Sequence, residues 1–114
     1  MFKGMGGLGD MAGMMAKAGE MKKRMEEAQA SFEVTFVDGT DPAEHVKATV
    51  NVKGVINNIQ LADSAGALES TQLEAAIVEA VKEAQTKGQA MMAAEIAKIS
   101  EDLGLPPGLG LPGT

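Results

Sequence analysis

The sequence predicts an α+β fold in the order helix, three-stranded antiparallel meander, long helix, and three observations carry that prediction. Residues 71–102 contain no proline and a single glycine, Gly88, so nothing interrupts a helix there. Val46, Ala48, Val50 and Val52 alternate with Lys47, Thr49, Asn51 and Lys53, the period of a strand with one apolar face. Between Met11 and Met25 the apolar residues recur instead at the spacing of a helix.

The chain divides into a glycine-rich arm over 1–9, one domain over 10–103 and a Pro/Gly-rich tail over 104–114. The arm contains Gly4-Met5-Gly6-Gly7-Leu8-Gly9, formally GxGxxG. A dinucleotide site needs a strand ahead of that motif, and only Met1-Phe2-Lys3 precede it, so the arm reads as flexible chain. A first helix is expected from Asp10, a candidate N-cap, to about Ala30. It carries Met11, Met14, Met15, Ala18, Met21 and Met25 on one face, and is weakened by Gly13 and Gly19. Such a methionine stripe serves either as ordinary packing or as an adaptable binding surface.

Phe32, Val34 and Phe36 predict the first strand, with Asp38-Gly39 opening a connection that runs through Asp41-Pro42. Residues 46–52 form the second strand, Lys53-Gly54 a tight turn, and 55–61 the third, with Ile59 and Leu61 inward. His45 opens the middle strand as a surface residue, and residues 62–69 link the meander to the long helix. That helix begins at Thr71, with Glu74 at capping-box spacing or Ser70 as the cap, and ends at Gly104 before Pro106-Pro107. Leu73, Ile77, Ala80, Ala84 and Met91 form one stripe, expected to cover the sheet. Met92, Ile96, Ile99 and Leu103 form a second, expected to meet another helix. The tail beyond is either extended and docked by its leucines or disordered, with partial disorder favoured.

Two observations predict a homodimer. At about 1.5 Å per residue the long helix spans roughly 48 Å, whereas a compact chain of this size has a radius of gyration of about 13 to 14 Å. The apolar content also rests heavily on alanine and on nine methionines with only three phenylalanines, which favours burial shared between two copies.

The chain has no cysteine, tryptophan or tyrosine and one histidine, so the usual ingredients of catalytic and metal sites are missing. No enzyme activity, cofactor, metal or small-molecule substrate is expected. No secretory leader or membrane-length apolar run is visible, which predicts a cytoplasmic protein without a membrane partner. The net charge is −6, but it is uneven: residues 1–30 carry five basic and four acidic groups, and residues 62–114 carry three and eight. The basic cluster is Lys17, Lys22, Lys23 and Arg24. Its plain reading is a solvated face of ion pairs, since Glu20–Arg24, Lys22–Glu26 and Lys23–Glu27 are spaced four apart.

The chain resembles the YbaB/EbfC family of bacterial nucleoid-associated proteins nearly end to end. The likeness is carried by Met1-Phe2-Lys3-Gly4, Met5-Gly6, the Met- and Lys-rich first helix, Val46-Lys47-Ala48-Thr49-Val50-Asn51, the alanine-rich 75–84 and Leu105-Pro106-Pro107-Gly108. It implies an intertwined, tweezer-like homodimer that binds double-stranded DNA in the nucleoid, with no catalysis and no cofactor. Where the family often has paired arginines in the third strand, this chain has Asn57-Asn58, which weakens the case for phosphate contacts from that strand. Combined with the resemblance, the basic cluster assigns DNA backbone contacts to Lys17, Lys22, Lys23 and Arg24, aided by Lys3, Lys87 and Lys98. The competing expectation is a dimeric protein-interaction module that binds no DNA.

Overall fold

A computed structural model describes the backbone of residues 2–104 and the side chains of residues 11–104. The tail over 105–114 lies outside the described residues. The order is helix α1 (Phe2–Val34), strands β1 (Phe36–Thr40), β2 (Val46–Asn51) and β3 (Ile56–Leu61), a 3₁₀ turn at Asp63–Ala67, and helix α2 (Ser70–Asp102). The strands form one antiparallel sheet in the order β1-β2-β3. Two compact units emerge, one from residues up to 29 with those from 95 onward, the other from residues 30–94.

In the 30–94 unit, α2 lies on one face of the sheet. Val46, Ala48 and Val50 from β2 pack with Ala76, Ala80 and Ala84 from α2, and Val37, Ile59, Leu68, Leu73, Ile77 and Val81 surround them. Small side chains on both surfaces bring the backbones close together, so each added methylene would be felt. Gly39 sets the limit of that approach: a Cβ there would stand 2.5 Å from the Ala80 carbonyl oxygen and closer still to the Ala84 nitrogen. Gly88 repeats the device against the Val52 carbonyl, at 2.8 Å. The expected apolar stripe is therefore rotated toward Ala76 and Gly88, and Met91 is left 44% exposed.

This close approach also corrects the first strand. Asp38-Gly39, expected as the start of a loop, lies inside β1, with Gly39 opposite Ala48. Phe32 and Val34, expected in the strand, belong to α1. Their alternation is compatible with a helix because Ala28 and Phe32, four residues apart, are the buried pair. The helix end is satisfied from the sheet side: the Val52 N–H donates to the carbonyls of Phe32 and Thr35, and the Thr35 hydroxyl turns back to the Ser31 carbonyl. At its other end α1 starts at Phe2 rather than Asp10, so residues 2–9, expected as a flexible arm, have helical backbone. Glycine lowers helix stability by about 1 kcal/mol per residue without forbidding the conformation, and no proline interrupts the run.

Both hairpins follow local chemistry. The buried Asp41 carboxylate accepts the Val46 N–H at 2.8 Å, and Glu44 sits at φ 58°. At the second turn Gly54, at φ 95°, donates its N–H to the Asn51 carbonyl, while the Asn51 side chain accepts from Val55 N–H at 2.9 Å. Between Thr49 and Val50 the β2–β3 register shifts, so Thr49 faces Asn58 and Val50 faces Ile56. The start of α2 differs from expectation: Glu69 is the cap, and its N–H donates to the Gln72 side chain at 3.0 Å. One half of a capping-box contact thus forms two residues ahead of Thr71–Glu74. The stop at Gly104 is as expected, with φ 69° and its N–H bonded to the Glu101 carbonyl.

Candidate nucleic-acid interface

Lysine and arginine are the side chains that neutralise phosphate, so the site is built from where the fold places each cation and what already occupies it. In the unit formed by residues up to 29 and from 95 onward, α1 and the last turns of α2 lie together. Ile99 and Ala28 are buried there, and Met21, Met25, Ile96 and Leu103 are half-buried. The Arg24 guanidinium reaches across to the Asp102 carboxylate at 3.0 Å. None of the three expected ion pairs along α1 closes among the described residues, where the pairs present are Arg24–Asp102, Lys53–Glu33 and Lys87–Glu83.

Helical geometry then sorts the cluster. Each residue advances about 100° around α1, so Lys17 and Arg24 share a side. Arg24 shows that this side faces α2, and Lys17 agrees: its ammonium lies 3.9 Å from where a Cβ on Gly104 would be. Lys23 is turned about 100° from Arg24, and Lys22 about 160°. Both are exposed and outside any ion pair among the described residues. Lys23 thus points away from α2, the direction in which a long polyanion can approach, whereas Lys22 stands about 60° from Met25, on the flank of α1 that carries Met11 and Met15. The side chain of Lys3 lies outside the described residues.

Lys98 is exposed on α2 in the same unit. Lys87 belongs to the 30–94 unit and is engaged at home, with its ammonium 3.2 Å from the Glu83 carboxylate and donating to the Asp38 carbonyl at 3.1 Å. Glu83 also accepts the Thr40 N–H at 3.3 Å. The Lys87 hydrogen bond first, and the Thr40 N–H second, hold the Glu83 carboxyl below the usual carboxylate range. The structure thus leaves Lys22, Lys23 and Lys98 open, engages Arg24 and Lys87, and keeps Lys17 beside the end of α2.

Asp102 is the residue that the sequence reading missed. Its weight comes from an antiparallel meeting of the two helices, and the acidic Glu101-Asp102 pair at the end of α2 was the only signal available in the sequence. His45 is half-buried, with its Nδ1 2.8 Å from the Ser64 hydroxyl. Among the described residues no helix is long and apolar enough to cross a membrane.

The order helix, three-stranded antiparallel sheet, long helix defines an α+β chain, with exposed lysines on both helices. Comparison makes the assignment specific: the YbaB/EbfC DNA-binding family matches residues 5–103, and the chain belongs to that family. A nucleoid-associated protein of Granulibacter bethesdensis is 36% identical over 107 residues, covering 90% of this chain and 97% of the relative. Nucleoid-associated proteins of Methylocella silvestris and Rhizobium meliloti are 31% and 33% identical over 104 residues, each covering 90% of this chain and 97% of the relative.

Proposed function

We propose that two copies of this chain bind double-stranded DNA through its phosphates, in the nucleoid of a bacterial cytoplasm, and thereby affect nucleoid organisation and gene expression. The observation that carries this reading is the exposed, unpaired state of Lys22 and Lys23 among the described residues, with Lys23 on the side of α1 turned away from α2. Membership of a DNA-binding family and the names of the relatives support it. Lys98 and Lys17 add charge to the same unit, while Arg24 and Lys87 contribute less because each already has an anionic partner.

Bulk charge opposes DNA but does not decide the outcome. At physiological salt the Debye length is about 8 Å, so acidic groups elsewhere on the chain are largely screened from a phosphate docked at Lys22 and Lys23. No arginine pair suited to reading guanine projects from a recognition helix among the described residues, and binding is therefore to the backbone rather than to base sequence.

Dimerisation is supported by the sheet. Ile56 and Leu61 lie opposite Val50 and Val46, on the apolar side of the sheet, yet are 51% and 53% exposed. α2 covers the β1–β2 half of that side together with Ile59, and the exposed Ile56 and Leu61 at the two ends of β3 are the surface offered to a second copy. With two lysines from each protomer, about four phosphates are neutralised, and log affinity falls against log salt with a slope near −3.6. Fluorescence anisotropy on a labelled duplex across a salt series tests this. A slope of that order supports the reading, whereas no binding in dilute buffer favours a dimeric protein-interaction module instead.

A further inference from the structure

The methionine face of α1 is covered along only part of its length. Met11, Met14, Ala18, Met21, Met25 and Ala28 follow one another at alternating spacings of three and four, the seam of a helix that packs lengthwise on a partner. Where α2 lies beside it, the seam is occupied: Ala28 is 7% exposed, and Met21 and Met25 are half-buried. Beyond the end of α2 the same seam is bare, with Met11 60% and Met14 69% exposed and Met15 beside them at 73%.

The chain itself leads onto that bare stretch. Arg24 opposite Asp102 and the Lys17 ammonium opposite Gly104 show that α2 runs antiparallel to α1 and stops between the levels of Arg24 and Lys17. Gly104, the last described residue, therefore stands on the approach to the bare seam. From there to Met11 is between about 9 Å, counted from Lys17, and about 20 Å, counted from Arg24, along the helix. Residues 105–114, Leu-Pro-Pro-Gly-Leu-Gly-Leu-Pro-Gly-Thr, reach about 31 Å when extended in the polyproline manner. They contain three leucines and no charged side chain, and the facing stretch from Met11 to Ala16 is uncharged too.

From this we propose that residues 105–114 dock in cis along the Met11–Met14–Met15 face of α1 and continue the cover that α2 begins. Leu105, Leu109 and Leu111 supply the apolar contacts. The thioethers adapt to an irregular, proline-bearing segment that no strand or helix could accommodate. Tethering a few residues from its site gives the tail an effective concentration in the millimolar range, so weak contacts suffice.

The absence of native cysteine makes the test direct. A Gly110→Cys variant carrying a nitroxide, with 13C-methyl methionine in the same chain, is diluted with an excess of unlabelled wild-type chain and compared with its reduced, diamagnetic form. Docking in cis predicts that the Met11, Met14 and Met15 methyl signals lose most of their intensity while Met91 keeps its own. Adding Leu109→Asp and Leu111→Asp to the labelled variant restores the signals. Unbroadened methyls overturn the proposal. So does broadening that appears only when the nitroxide and the 13C label sit on different chains, which gives the seam to a second copy.

Discussion

The Arg24 guanidinium lies 3.0 Å from the Asp102 carboxylate, so one cation of the basic cluster is held by the last turn of α2. The pair is partly exposed, with 26% and 46% of the two side chains accessible. Its contribution to stability is accordingly at most about 1 kcal/mol. Its larger effect is on where positive charge is available. Asp102→Asn releases Arg24, and DNA affinity is expected to rise at fixed salt. If each released arginine reaches a phosphate, the salt slope of the dimer steepens by about 1.8. Anisotropy titration of the variant against wild type reads both quantities, and unchanged binding contradicts the competition.

Lys87 provides the opposite case. Its ammonium is already shared between Glu83 and the Asp38 carbonyl, so Lys87→Ala should leave the salt slope within error of wild type. Lys23→Ala should flatten it by about 1.8 for two copies. Equal losses from the two substitutions would show that the contacts of Lys87 do not restrain it.

The helix–sheet approach predicts a contrast among glycines. Gly39→Ala pushes a methyl into the α2 backbone at Ala80 and Ala84. Backbone can yield little, so the cost is about 1 to 3 kcal/mol, read as a lower urea midpoint. At Gly13 and Gly19 nothing lies within 4 Å of an added Cβ. Alanine there should stabilise α1 by up to about 1 kcal/mol each. A Gly39→Ala protein as stable as wild type contradicts the packing described.

Glu83 carries a pH dependence of known sign. Its carboxyl is held below the usual range by Lys87 first and the Thr40 N–H second. The folded state therefore binds that proton less readily than the unfolded chain does. The stabilisation is complete above the unfolded pKa and is lost as pH falls through the lowered folded one. Chemical denaturation at a series of acid pH values should show the gap between wild type and Glu83→Gln closing as pH drops. A gap that widens toward acid contradicts the assignment.

Much of the fold is legible in local signals. The alternation of Val46, Ala48 and Val50, the turn at Gly54 and the stop at Gly104 each follow from neighbouring residues alone. The first strand is not legible in this way, because Phe32-Glu33-Val34 satisfies a strand alternation as well as the last turn of a helix. The Ala28–Phe32 pair and the Val52 N–H, distant in sequence, decide for the helix. Gly39 reads locally as a turn residue, and only the nearness of Ala80 and Ala84 explains it inside a strand. In the site, the lysines and Arg24 are visible from composition. Which of them remain open depends on Asp102 and Glu83, whose contacts are set by tertiary structure.

The most direct test of DNA binding by α1 is a charge reversal at its two exposed, unpaired lysines, Lys22→Glu with Lys23→Glu, measured together with the solution mass. Neither side chain makes an ion pair among the described residues, so the variant should fold and assemble as wild type does. It should lose duplex retention at a salt concentration where wild type binds. A correctly folded and assembled variant that retains DNA as wild type does, with the same salt slope, contradicts the account.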